Sequence, residues 1–276
     1  MTFAARELRE YPARKVCQLL VIPRSTLYHA RRHGGRREVD KAEECEAVLA
    51  ASIEHYGSFG RRMLKRILAG KGICMSERKI SRIMKKLEIQ SKYGRKKAKN
   101  IHTSKETEKY IHENVFAKMD KAERAAKEIW SMDFTEVKLG KQKLFTCGII
   151  SVNRKILVGY SQGKKCNTEL AIAAVQKAIA EYGKPDMIMT DRGPQFTSKA
   201  FFDMMQENKI VHSMSRPYKP IDNRFIETFW KTMKVELGKT TLLNEQTFRM
   251  VTDYYVYYYN NLRPHSALDY VPPLAA

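Results

Sequence analysis

No run of eighteen apolar residues occurs in this 276-residue chain, so no membrane-spanning helix is expected. The opening residues, Met1-Thr2-Phe3-Ala4-Ala5-Arg6-Glu7, lack the apolar stretch of a secretory signal. A cytoplasmic location is the default that these two absences leave. Cysteine is scarce: five residues, at 17, 45, 74, 147 and 166, odd in number and never closely spaced. That argues for reduced thiols and against a disulfide framework. His29 and His33 have a possible zinc-ligand spacing, but no Cys-x-x-Cys pair follows them, which argues against a zinc site. No internal repeat and no sustained heptad is evident. Acidic residues are outnumbered, 30 Asp and Glu against 51 Lys and Arg, for a net charge of +21.

The excess charge is unevenly placed. Residues 1–128 hold 31 Lys and Arg against 16 Asp and Glu, whereas 129–276 hold 20 against 14. An imbalance of that size over half a chain predicts a polyanion partner. Phosphate contacts of this kind supply affinity and little sequence discrimination. A first unit, 1–40, reads as two short helices. Ala13 to Leu20 carries Val16, Leu19 and Leu20 at helical spacing, Val21-Ile22-Pro23 breaks it, and Arg24 to His29 restarts it. Proline is tolerated in a helix's first turn because its missing N–H would be unpaired anyway. The pattern resembles a helix-turn-helix whose second helix offers Arg24, Ser25 and Thr26 to a DNA groove. A plain helical hairpin explains the same pattern.

A second helical unit spans 41–90. Val48, Leu49 and Ile53 suit one helix, and Met63, Leu64, Ile67 and Leu68 a second, closed by Gly70 and Gly72. Ser76 is placed to cap a third, whose stripe Ile80, Ile83, Met84 and Leu87 follows i, i+3, i+4, i+7. Arg78, Lys79, Arg82, Lys85 and Lys86 lie off that stripe. With Arg61 and Arg62 they are candidates for phosphate contact, a solvated face being the plainer alternative. Residues 91–128 read as a basic linker in which Arg95, Lys96 and Lys97 form an arm along DNA or a tether, with a polar helix over 105–128.

From 129 the pattern changes. Ile129–Val137, Lys143–Val152 and Lys155–Tyr160 read as strands joined by tight turns. A helix over Leu170–Ile179, a buried strand Asp186–Thr190, a helix over 198–208 and a strand Ile210–Ser213 follow. A meander that passes into alternating strands and helices predicts an α/β sheet with helices on both faces.

Three carboxylates stand out in this region. Asp133 lies inside a strand pattern, where Asp is disfavoured, and Met132 and Phe134 beside it suggest burial. A buried carboxylate is costly unless paired or metal-bound. Asp191 ends the run Met187-Ile188-Met189-Thr190. It has the context of a turn residue before Gly193-Pro194, but the carboxyl end of a strand is also where α/β sheets place sites. Glu227 follows after 35 intervening residues, on a helical pattern. Ile226, Phe229, Trp230, Met233 and Leu237 share one side of that helix; Glu227, Lys231 and Lys234 share another. Ordinary Glu–Lys pairing would explain this second stripe alone, at about 0.3 kcal/mol. It would not explain Asp133 and Asp191. Asp222 competes for the third position, but reads as a helix cap beside Asn223; His212 and His265 read as structural. Three such carboxylates can hold two Mg²⁺ ions, which favour hard oxygen ligands, and two ions assist in-line displacement at a phosphodiester.

The quoted residues carry a resemblance. Trp130…Asp133-Phe134-Thr135, Thr190-Asp191-Arg192-Gly193…Gln195-Phe196-Thr197-Ser198, Asp222-Asn223…Glu227-Thr228-Phe229…Lys234…Glu236 and Tyr259-Asn260-Asn261-Leu262-Arg263-Pro264-His265-Ser266-Ala267-Leu268 stand in one order over 130–273. They resemble insertion-sequence transposases of the IS-three family, orfB type, whose catalytic core is similar to that of retroviral integrases. A weaker resemblance covers 13–90. The resemblance implies an RNase H-like core over 129–276 with a C-terminal helix, preceded by small all-α DNA-binding units. It also implies Asp133, Asp191 and Glu227 as ligands of two Mg²⁺ ions (Mn²⁺ substituting), with Asp133 shared between them. Further implications are element terminal repeats and target DNA as partners, a homo-oligomer on DNA, a possible upstream-frame protein, and DNA contact by Lys234, Lys231 and Arg192. The chain departs from the family at Ser151, often Asp, at Tyr218, Lys219 and Ile221, where Gly, Asn and Tyr are usual, and at Arg224, commonly Ala. These departures bear on loop conformation and touch none of the three ligands. A catalytically silent helix-turn-helix regulator and a structure-specific RNase H-like nuclease are the alternative functions.

Overall fold

The computed structural model describes residues 11–20, 23–25, 27, 28, 42–92, 110–216 and 220–276. Thr26, His29, His33, Arg95, Lys96, Lys97, Tyr218 and Lys219 lie outside the described residues. Short helices come first. α1 (Ala13–Leu20) packs Val16 and Cys17 against Leu27, and Arg24 and Ser25 are helical and exposed. α2 (Ala42–Glu54), α3 (Arg61–Gly70) and α4 (Glu77–Lys86) surround a core that includes Val48, Leu64, Leu68, Ile80 and Ile83. Ser76 caps α4 as its position suggests, its side chain accepting from the Lys79 N–H, and the buried stripe is Ile80, Ile83 and Met84.

The stretch before the sheet differs from expectation. In place of one polar helix over 105–128, the described part holds two short ones, α5 (Val115–Lys118) and α6 (Lys121–Ala125). Each starts at its own cap. The Asn114 side chain accepts from the Ala117 N–H, and Asp120 forms a capping box with Glu123. Phe116 and Met119 are buried with Ile129, Val152, Met187 and Met189. Residues 110–128 are therefore packed on the core and are not linker.

The sheet has five strands in the order β3-β2-β1-β4-β5: β1 (Ile129–Leu139), β2 (Gln142–Ser151), β3 (Leu157–Gly163), β4 (Met187–Thr190) and β5 (Val211–Met214). β1, β2 and β3 form an antiparallel meander, and β4 and β5 run parallel to β1. The third strand begins later than expected because Lys155 sits in a turn at φ 60. Period-two alternation divides β1 between two cores. Trp130 and Met132 meet α7 (Thr168–Tyr182) and α8 (Lys199–Glu207) on one face. Val137 and Leu139 meet α9 (Arg224–Leu237) and α10 (Glu245–Asn261) on the other. Gly148, opposite Asp133, is needed for that second contact: a Cβ there would lie 2.6 Å from the Trp230 ring.

α10 also anchors its surroundings. The Asn260 side chain accepts from the Leu157 N–H at 2.9 Å and donates to its carbonyl at 3.0 Å, at the start of β3. Tyr258 holds the α2–α4 unit through its hydroxyl, 3.0 Å from His55 Nδ1, and through its ring, 5.0 Å from that of Tyr56.

Candidate active site

β1 and β4 place the first two carboxylates. Their register runs Ile129 with Met187, Trp130 with Ile188 and Ser131 with Met189. Two residues further along each chain are Asp133 and Asp191, so the parallel pairing brings them side by side. Asp191 follows the last residue of β4, at the strand's carboxyl end. The third carboxylate, Glu227, lies in the first turn of α9.

That helix start is fixed to β1 by a polar knot. The Ser131 hydroxyl donates to Asn223 Oδ1 at 2.6 Å, Asn223 Nδ2 donates to the Met132 carbonyl at 3.0 Å, and the Ile226 N–H donates to Ser131 Oγ at 3.4 Å. Ser131 and Asn223 are both buried, so these bonds hold α9 beside the strand that bears Asp133. They act as positioning residues for Glu227.

Electrostatics link the group. Burial first, then the charge of Asp191, pushes the Asp133 carboxyl up to about 8; Glu227 raises it further, while the Phe134 N–H and Lys234 oppose. The protein packed around Asp191 desolvates its carboxyl and raises it, against a 2.9 Å hydrogen bond from the Gly193 N–H. Glu227 is raised by burial and then by Asp191. Burial lowers the Lys234 ammonium, opposed by Asp133 and Glu136. Asp191 thus raises both of the other carboxyls, one lysine lies at their edge, and every acidic group here offers oxygen donors. A hard dication suits such a set, since it replaces the retained protons. Among the described residues, no three His, Cys, Asp or Glu side chains are close enough as they stand to form a metal-holding group.

Asp222 stands apart, and the cap expected of it is not found. It accepts from the Arg216 N–H, Nε and Nη2, each at 3.0 Å, and from Asn114 Nδ2 at 2.7 Å. Arg216 holds its carboxyl below the usual range. Asn223 is the N-cap residue of α9 but makes no capping bond, its amide being committed to β1. His212 is buried with Nε2 2.9 Å from the Thr190 hydroxyl, and burial lowers its pKa to about 3.

The basic candidates divide. Lys231 and Lys234 are exposed on the Glu227 side of α9. Arg192 Nε donates to the Ser215 carbonyl at 3.0 Å and ties down the loop after β4. Arg78 and Arg82 are exposed on α4. Arg61 and Arg62 approach Glu77 at 3.4 and 4.0 Å. Lys79 differs from the rest: it pairs with Glu44 at 2.7 Å, and 19% of its side chain is exposed, so it braces α4 on α2 and offers little to DNA.

One cluster carried no assigned role in the sequence. Glu236 accepts from Arg263 Nη2 and Nε at 2.9 and 3.0 Å and from the Tyr255 hydroxyl at 2.7 Å, all buried. Lys92 donates to the Glu236 carbonyl at 3.2 Å. Glu236 and Arg263 both stand in the ordered motifs, but only the fold shows that they meet.

Residues 123–220 match the family described as integrase core domain, and residues 208–273 match a second family of that description. Residues 38–97 match the HTH-like domain, which falls on the α2–α4 unit. Together the two core matches span the sheet from β1 onward, α9 and α10, and define a protein with an integrase-type core. The transposase for insertion sequence element IS904 of Lactococcus lactis is 27% identical over 251 residues, 88% of this chain and 96% of that protein. The transposase InsF for insertion sequence IS3A of Escherichia coli is 23% identical over 96% of this chain and 93% of its own length. The HTLV-2 integrase catalytic core domain in complex with magnesium superposes on 53% of this chain and 92% of its own, with 23% identity and a TM-score of 0.40. Over nearly its whole length the chain is thus similar to insertion-sequence transposases. Among the described residues no helix is long and apolar enough to cross a membrane.

Proposed function

We propose that the protein is a DNA transposase that cleaves a phosphodiester at the ends of its element and joins that end to target DNA. The observation that carries this reading is the convergence of Asp133, Asp191 and Glu227 from two adjacent strands and one helix, each raised in pKa and coupled to another of the three. These residues would hold two Mg²⁺ ions, which supply Lewis-acid charge to the attacking and leaving oxygens. The remaining work is done by the chain. Ser131 and Asn223 orient the Glu227 turn. Gly193 fixes the Asp191 carboxylate. Lys234 and Lys231 hold terminal DNA phosphates beside the site, as a flexible ammonium can. Water or a DNA 3′-hydroxyl attacks in line, with no covalent protein–DNA intermediate.

In this reading the α2–α4 unit grips the terminal repeats through Arg61, Arg62, Arg78 and Arg82, with Arg24 and Ser25 entering a groove from the first unit. Two element ends require more than one copy of the chain. A silent regulator would need only the helical units and would leave three mutually opposed carboxylates without purpose. A plain nuclease would not need the basic N-terminal half. The deciding experiment is a strand-transfer assay with labelled element ends, Mg²⁺ and target DNA. Joined product that disappears with chelator is expected, and Mn²⁺ should restore it. Cleavage without joining would favour the nuclease, and DNA binding without either step would favour the regulator.

A further inference from the structure

Among the described residues, a cleft lies away from the carboxylates. It has a volume of about 720 Å³ and opens on the neighbouring flank of α9, between the α2–α4 unit and the segment after α10. Arg224, Phe225, Thr228 and Thr232 form its α9 wall, and Thr228 is the next residue after Glu227. The cleft is therefore reached from the candidate active site by turning around one helix.

Its chemistry is that of a site with something missing. Arg224 and Lys155 share one aromatic ring: the Arg224 guanidinium carbon lies 5.2 Å and Lys155 Nζ 5.0 Å from the centre of Phe225. Among the described residues, no carboxylate pairs with either cation. Two neighbouring cations repel one another: burial first, and then the Arg224 charge, lowers the Lys155 ammonium. Arg61 and Arg62 line the same cleft. Two buried polar atoms in its lining are also unsatisfied: Ser58 Oγ and His265 Nε2 have no hydrogen-bond partner. Ser58 is fully buried. Unpaired buried polar groups are costly, and both of these residues belong to the cleft lining. Met63, Pro264 and Ala267 supply apolar surface between the charges.

We infer that this cleft binds an unpaired nucleotide of the DNA strand, with its phosphate on Arg224 and Lys155 and its base among the apolar walls. The inference rests on the proposed DNA-joining role. Size separates the occupants. Pockets for small ligands run roughly 300–1,000 Å³, which suits a nucleotide. A duplex, whose major groove alone is about 12 Å wide, does not fit inside. Basic grooves with aromatic walls are how proteins hold single strands without reading sequence. The cleft spans two units, so a nucleotide in it would also fasten the α2–α4 unit to the core.

The test uses the full chain in chelator, so that no chemistry occurs, and compares a blunt labelled duplex with the same duplex carrying a three-nucleotide single-stranded end. The tailed duplex is expected to bind about tenfold more tightly, in line with base stacking in such grooves. Arg224→Ala should remove that gain. Ala267→Trp should also remove it by filling the cleft, and the exposed position of Ala267 makes this change tolerable to the fold. Blunt-duplex affinity should stay within about twofold in both variants, which confirms that they are folded. Equal binding of tailed and blunt duplex by the unaltered protein would overturn the inference, as would a gain that survives both substitutions. Displacement of the tail by polyglutamate but not by oligothymidylate would assign the cleft to an acidic peptide and overturn it too. Failure of blunt-duplex binding or of strand transfer counts against the DNA-joining role itself, so the two readings fail separately.

Discussion

The ion pairs of the α2–α4 unit and three carboxylates of the sheet domain stand in contrast. In the helical unit Glu44 is matched with Lys79, Glu54 with Lys71, and Glu77 with Arg61 and Arg62. In the sheet domain Asp133, Asp191 and Glu227 converge, and among the described residues no cation lies within ion-pair distance of them. Matched surface pairs contribute little to stability, about 0–1 kcal/mol, and leave the unit a net positive surface suited to DNA. Unmatched, desolvated carboxylates are costly, and a fold retains them where a cation is to be bound. The contrast sets paired charge in one region beside unpaired carboxylates in the other.

The largest effect should come from abolishing the unmatched set. Asp133→Asn, Asp191→Asn and Glu227→Gln are nearly isosteric but remove metal-binding charge. Each should lower strand transfer by about a thousandfold or more, because the charge stabilisation at stake is several kcal/mol. DNA affinity should be unchanged by gel shift. A variant that still joins DNA removes its residue from the site.

Next is a buried matched pair. The Glu236 side chain is 0% exposed and that of Arg263 10%. Arg263→Ala leaves Glu236 buried without its guanidinium partner, and should cost about 3–5 kcal/mol in denaturant unfolding. A change below 1 kcal/mol would place this pair with the surface pairs of the helical unit.

Lys234 tests the border between the two regimes, since it is a cation on which Asp133 acts. Lys234→Ala should slow strand transfer about tenfold, the scale of one charge-assisted phosphate contact, while Lys234→Arg retains most of it. Near-normal joining by Lys234→Ala would reduce the lysine to a solvated member of the helix face.

A last test concerns pH. His212 has a folded-state pKa of about 3 against an ordinary 6.5. Between those values the unfolded chain binds more protons, so this contribution is fully present above 6.5 and is lost as pH falls through the window. Thermal unfolding of His212→Asn should therefore depend less on pH from 6.5 to 3 than that of the unaltered protein. An identical slope would show that His212 is not held neutral.

Much of this arrangement was legible in the sequence, for reasons visible in particular residues. The sheet announced itself through alternation and through the position of Asp191 at the end of a four-residue apolar strand. The α9 stripe followed from Ile226, Phe229, Trp230 and Met233, and all four are buried. What was not legible depended on contacts between distant segments. Phe116 and Met119 look like stray apolar residues in a polar helix until Met187 and Met189 are brought against them. Asp222 looks like a cap until Arg216 wraps it from a loop that has no periodicity. Lys79 looks like one more exposed cation until α2 brings Glu44 alongside.

Asn260 carries a consequence for how copies of this protein meet one another. β3 ends the sheet on one side, and an outermost strand offers free N–H and C=O groups to any passing chain. By giving Leu157 both a donor and an acceptor, the Asn260 amide stands in for the peptide of an absent sixth strand. The first rung of that ladder is thus already taken from within the same chain. Where two copies come close, edge-to-edge strand pairing therefore cannot start at that rung.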